Sequence, residues 1–223
     1  MPGIDRDGEV FVLNLGEAEN RFHPDWLAEV HSHLDVVESA EGPRALVTTA
    51  TGKFFSNGLD LEWLASNGER FVAYVIDVHA LLGRILAMPV PTVAAVQGHC
   101  FAGGAMLALA HDFRVMRVDR GFFCLPEIDI NIPFSPGMAA LIQARLSKKT
   151  AHEAMTTGRR YGGTDALATD IVDVVAHADD VLSSAIEVAR PLAGKAGATL
   201  GAIKSRMYVQ PLALLRDTAN PLG

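Results

Sequence analysis

Cysteine is nearly absent from this chain: its 223 residues contain two thiols, Cys100 and Cys124. Neither belongs to a Cys-x-x-Cys pair, so a disulfide scaffold and a cysteine-ligated metal centre are both disfavoured, and reduced core thiols are expected. No run of lysine or arginine offsets the formal charge of −7, which argues against a nucleic-acid or acidic-membrane surface. Met1-Pro2-Gly3-Ile4-Asp5-Arg6-Asp7 holds no basic segment leading into an apolar run, so no secretory signal is expected. Apolar stretches break at Gly, His or a charge well short of a bilayer span. Asn220-Pro221-Leu222-Gly223 is not a peroxisomal address. These absences predict a cytoplasmic protein with no nucleic-acid or membrane partner.

What is present is globular: 49% hydrophobic and 20% charged residues. Strand-like segments run from Glu9 to Leu15, Ala45 to Thr49, Thr92 to Val96, Phe113 to Val118, Phe122 to Leu125 and Ile171 to Val175. Between them lie helical patterns. Pro24 to Glu38 repeats Trp26, Leu27, Val30, Leu34 and Val37 at helix spacing, and Phe71 to Met88 stops before Pro89 and Pro91. Phe54 to Leu64 turns through Gly58 into a short helix, and Gly103 to Ala110 is a helix of small residues. Further helices are expected over Pro136 to Leu146, Thr150 to Thr156, Thr164 to Thr169, Val181 to Leu192 and Ala198 to Val209. The alternation predicts an α/β fold with buried strands. No linker divides it, so residues 1–190 form one core, followed by a helical C-terminal tail or oligomerisation segment over 191–223.

Two junctions carry chemistry. In Gln97-Gly98-His99-Cys100-Phe101-Ala102-Gly103-Gly104-Ala105-Met106, a strand delivers glycines to the start of a helix, where the Gly103 N–H lies among the unpaired donors of the first turn. Ser56-Asn57-Gly58-Leu59-Asp60-Leu61 repeats the pattern and offers the Leu59 N–H. Two such donors on one carbonyl oxygen would lower a barrier by roughly 3–4 kcal/mol each. A separate loop, Leu125-Pro126-Glu127-Ile128, brings one carboxylate. On its own a Gly-Gly helix start marks only tight packing, and Glu127 alone reads as a surface carboxylate.

The ordered set Lys53-Phe54-Phe55-Ser56-Asn57-Gly58-Leu59-Asp60-Leu61, then Ala94 to Gly104, then Leu125 to Ile128, resembles the crotonase (enoyl-CoA hydratase/isomerase) superfamily over about residues 8–190. Asn20-Arg21-Phe22 is similar to the segment that lies along coenzyme A in that family. The resemblance implies a crotonase-like spiral of ββα units with a C-terminal helical subdomain, and a homotrimer or dimer of trimers. It also implies an oxyanion hole from the Leu59 and Gly103 amides. Hydratases of the family carry two glutamates. The first falls here on Met106, one helical turn from Gly103, and the second on Glu127. The extra aspartate of the dienoyl-CoA isomerases falls on Ser135. One carboxylate suffices for a Δ3,Δ2-enoyl-CoA isomerase, and that is the expected activity. Its substrate is an acyl-CoA thioester, and no metal or other cofactor is called for, coenzyme A being part of the substrate.

The expected roles follow residue by residue. Glu127, Leu59 and Gly103 are catalytic, while Arg21, Lys53, Asn57, Gly58, Asp60, Leu61, Met106 and Phe134 bind substrate. Arg21 and Lys53 are the candidates for the CoA phosphates, and Met106, Phe134 and Trp63 would keep Glu127 dry. Asp60 also reads as an ordinary helix-start carboxylate. His99 reads as a satisfied structural histidine and His111 as a helix-terminal cation. His31 and His33 diverge on their helix and make no metal site, and Lys148-Lys149 opens a helix. Two other readings stay open: a hydratase or other crotonase-type reaction, and a non-catalytic acyl-CoA-binding subunit.

Overall fold

The computed structural model describes all residues from Met1 to Gly223. Strands β1 (Gly3–Asp7) and β2 (Val10–Asn14) precede helix α1 (Pro24–Ser39). There follow β3 (Ala45–Thr49), β4 (Phe54–Ser56), α2 (Leu61–Ser66), α3 (Phe71–Ala87), β5 (Thr92–Val96), β6 (His99–Phe101), α4 (Gly103–Ala110), β7 (Phe113–Arg117) and β8 (Phe123–Cys124). The remainder is α5 (Pro136–Arg145), α6 (Lys148–Thr157), α7 (Gly163–Ala168), β9 (Val174–Ala176), α8 (Val181–Ala189), α9 (Ala198–Met207) and α10 (Val209–Leu215). No helix is long and apolar enough to cross a membrane.

Two sheets divide the strands. The larger runs β1-β2-β3-β5-β7-β9 and the smaller β4-β6-β8. The pairs β3/β4, β5/β6 and β7/β8 each give one strand to each sheet, which is the ββα spiral expected from the resemblance. All pairings are parallel except β1 with β2. Parallel strands are covered on both faces, so β3 and β5 are buried at every residue, with threonine the only polar residue type in either. Val181, Ala185 and Ala189 of α8 cover one face against Val47, Val93 and Ala95. On the other face lie α1 and α3; α1 buries the five residues its spacing predicted.

Several elements differ from the expectation. β1 gives no strand signal in sequence, being largely exposed and charged with no apolar period; its partner β2 and the turn at Gly8 (φ +61°) make it a strand. His99–Phe101, which is not among the expected strands, is one because it is sandwiched between β4 and β8. The last strand begins at Val174, not Ile171; Ile171 and Val172 are apolar because they are buried in the preceding turn. The final helix breaks after Met207, and α10 follows.

Residues 191–223 pack on the core of the same chain, with α10 against α5 and α3. The buried Lys204 ammonium donates to the Val90 carbonyl at 3.1 Å and pairs with Asp112 at 2.6 Å. Arg145 donates to the carbonyls of Leu109, His111 and Asp112 and to the Tyr208 hydroxyl. His111 is not a cation. It is fully buried between the Leu107 carbonyl and the Thr48 hydroxyl, and burial drives its pKa down to about 3. Cys100 and Cys124 are free, buried thiols.

Candidate active site

The site begins where β4 and β6 end. Gly58 adopts φ +76°, and a β-carbon on it would lie 2.5 Å from the Gly103 nitrogen. A β-carbon on Gly103 would meet the Phe22 ring at 2.9 Å, and one on Gly104 the Ser56 carbonyl oxygen at 2.3 Å. Glycine is required at these positions because two backbones and an aromatic ring converge there. Phe22 is held by its amide, which donates to the Gly58 carbonyl at 2.8 Å, and by stacking on Trp26. The Ser56 hydroxyl accepts from Gly58 N–H and donates to the Asn20 carbonyl.

This convergence leaves two backbone donors side by side. The Leu59 N–H has no acceptor within the protein, and Gly103, as the first residue of α4, has no intrahelical one. Ala102 precedes it at φ 50°, ψ −123°, a conformation that normally belongs to glycine and stores about 1–3 kcal/mol of strain. That turn redirects the chain from β6 into α4.

Both turns line a cavity of about 690 Å³. Glu127 reaches it from a short 3-10 turn, Pro126–Ile128, that follows β8. The residue is only 6% exposed, and its Oε2 has no hydrogen-bond partner. Burial therefore raises its pKa from 4.5 to about 7, against a small opposing pull from its own backbone N–H. A lone carboxylate with such a pKa can both take and return a proton near neutrality. Met106, Phe134, Met138, Ile132, Val75 and Leu64 supply apolar wall around it. No cluster of three or more His, Cys, Asp or Glu side chains is placed to hold a metal ion.

Of the residues expected at the site, Glu127, Leu59, Gly103, Arg21, Asn57, Leu61, Met106 and Phe134 all line this cavity. Lys53, Gly58 and Asp60 do not. Lys53 lies over the Phe54 ring, Gly58 acts through the close approach just described, and Asp60 caps α2 by accepting from Trp63 N–H at 3.0 Å. Arg21 pairs with Glu19 at 2.7 Å and Glu62 at 3.1 Å, and Asn57 donates to the same Glu19 carboxylate. Trp63 does not line the cavity; it packs on Tyr74 beneath the Arg70 guanidinium. His99 is not satisfied: its Nδ1 is buried without a partner among the Phe54, Phe101 and Phe122 rings.

Other lining residues were not foreseen. Phe71 and Val75 of α3, Ile130 to Pro133, Met138 and Leu222 all contribute wall, and their sequence signal is that of any core residue. Ser135 was singled out only for what it replaces. Here its hydroxyl lies 2.7 Å from Nε2 of the buried His79, a pairing across 56 positions that no local pattern reveals.

The sequence profile of the family described as Enoyl-CoA hydratase/isomerase matches residues 8–215. The chain is 37% identical to enoyl-CoA delta isomerase 3 of Arabidopsis thaliana, over all of this chain and 98% of that protein. It is 33% identical to the peroxisomal enoyl-CoA delta isomerase 2 of the same plant, over 96% of this chain and 95% of that one. Its fold superimposes on the human mitochondrial delta3-delta2-enoyl-CoA isomerase with a TM-score of 0.88 at 24% identity, covering 99% of this chain and 88% of the other.

Proposed function

The chain belongs to the enoyl-CoA hydratase/isomerase family, and from that premise we propose that it converts 3-enoyl-CoA to trans-2-enoyl-CoA with Glu127 as a single proton shuttle. The thioester oxygen lies against the Leu59 and Gly103 amides, which form an oxyanion hole. The Glu127 carboxylate removes a proton from C2, and negative charge moves onto that oxygen, where the two donors stabilise it. The protonated Glu127 then delivers the same proton to C4. The double bond shifts by one position and the composition of the substrate is unchanged.

One observation carries the reading: Glu127 is buried and unpaired, with a pKa raised to about 7, in a cavity it shares with both backbone donors. Addition of water would call for a second group to hold that water. Met106 lines the same cavity one helical turn from Gly103, and its thioether neither accepts nor supplies a proton near neutral pH. The apolar wall keeps solvent from the dienolate. In this reading Arg21, which lines the cavity and pairs with Glu19 and Glu62, exchanges those carboxylates for a CoA phosphate. No metal or redox cofactor takes part. A homotrimer or dimer of trimers in the cytoplasm completes the reading, checked by sedimentation and by cell fractionation.

Incubation with 3-hexenoyl-CoA and, separately, with 2-hexenoyl-CoA tests the assignment, products being resolved by chromatography and mass. Conversion of the first without change of mass is the expected result. Gain of one water by the second identifies a hydratase instead, and no change in either leaves a binding protein.

A further inference from the structure

Ser135 and His79 form a polar pair on the cavity wall that the proposed reaction does not use. Ser135 is buried, lines the cavity, and caps α5 by accepting from Met138 N–H at 3.3 Å. His79 is buried in α3, with Nε2 2.7 Å from the Ser135 hydroxyl and Nδ1 without a partner. Desolvation keeps its ring neutral, so one nitrogen carries the proton. A proton on Nδ1 would bury an orphan N–H donor. A proton on Nε2 leaves only an unused lone pair, which proteins tolerate more readily. His79 therefore donates to Ser135. The Ser135 oxygen then accepts twice, from His79 and from Met138, and its own hydroxyl proton has no acceptor in the protein. Ser135 lines the cavity, so a ligand there can supply that acceptor.

The other polar side chains at this cavity already have a partner or a role. Arg21 and Glu62 pair with each other at the mouth, and Asn57 binds Glu19. Glu127 is the shuttle. Ser135 is thus an unfilled donor amid apolar wall, and a plain hydrocarbon chain laid against it would strip it of water and return nothing. We propose that the Ser135 hydroxyl, oriented by His79, recognises an oxygen substituent on the acyl chain, so that the site selects oxygenated acyl-CoA thioesters over plain-chain ones. The inference rests on the acyl-CoA reading above.

The test measures binding rather than turnover. Octanoyl-CoA and its 5-, 6-, 7- and 8-hydroxy derivatives, which have no double bond to shift, are titrated into the whole protein by calorimetry. At least one hydroxy derivative binds about tenfold more tightly than octanoyl-CoA, the worth of one recovered hydrogen bond. Ser135→Ala reverses that order, while Ser135→Thr, which keeps both hydroxyl and cap, preserves it. The absence of any preferred hydroxy derivative, or a preference that survives S135A, overturns the proposal while leaving the acyl-CoA reading intact. Failure of octanoyl-CoA itself to bind removes the acyl-CoA reading instead.

Discussion

Gly58 and Gly103 meet backbone to backbone: a β-carbon added to the first would sit 2.5 Å from the amide nitrogen of the second. Two loops 45 positions apart in sequence are locked at a spacing that only the smallest residue permits. The pair of amide donors exists because of that contact.

Gly58→Ala should therefore damage the site through the backbone. The φ of +76° disfavours any side chain, and the added carbon must push Gly103 aside. A stability loss of about 2 kcal/mol or more is expected, together with a fall in kcat of at least about a hundredfold from the displaced donor. Urea denaturation and turnover of 3-hexenoyl-CoA report the two effects. Wild-type turnover by G58A would show that the spacing of the donors is irrelevant to the chemistry.

Glu127→Gln replaces the proposed shuttle with a group of the same shape that cannot carry a proton. Isomerisation should fall by about 10³-fold or more, while the Kd for a saturated acyl-CoA stays within a few-fold of wild type. Retained turnover in E127Q would assign the proton transfer to another group.

The raised Glu127 pKa also sets two pH dependences. In the proposed mechanism removal of the C2 proton needs the carboxylate, so kcat/KM should climb with pH through about 7 and level off above it. Stability runs the other way. The folded state holds this proton more tightly than the unfolded chain, so the associated stabilisation is complete below about pH 4.5 and is lost as pH rises through about 7. E127Q, matched to wild type at pH 4, should exceed it by about 3 kcal/mol at pH 8. Paired urea titrations at the two pH values measure the gap, and equal midpoints at pH 8 would show the carboxyl to be solvated.

Lys204→Met tests what holds the C-terminal helices. The change leaves the Asp112 carboxylate without its cation and the Val90 carbonyl without its donor. A loss of about 3 kcal/mol is expected, with amide hydrogen exchange speeding up first in α9 and α10. Uniform exchange across the chain would mean that this ion pair is not the local clasp.

Much of this arrangement is legible in one dimension because the signals are local. Trp26, Leu27, Val30, Leu34 and Val37 announce α1 by their spacing, Pro89 and Pro91 end α3, and the glycines at 58, 103 and 104 mark both site turns. What stayed hidden depends on contacts made at a distance. β1 has no apolar period of its own and exists through β2. Nothing in the neighbours of His111 discloses that Leu107 and Thr48 enclose it. Lys53 and Asp60 sit within a site motif, yet one lies over an aromatic ring and the other caps a helix, and sequence adjacency does not separate those roles from ligand contact. The Ser135–His79 pair arises only once α3 and the start of α5 are packed together.

The basicity of Glu127 comes from what its surroundings withhold, and that gives the substrate a share in it. A partly open chamber still admits solvent; a hydrocarbon tail lying along Met106 and Met138 expels it. Occupancy then makes the carboxyl a stronger base than it is in the vacant enzyme, by an amount that grows with the surface the tail covers. The apparent pKa in kcat should accordingly lie above that in kcat/KM, and the interval should widen from short chains to long ones. A catalyst of this kind is finished by the molecule it acts upon.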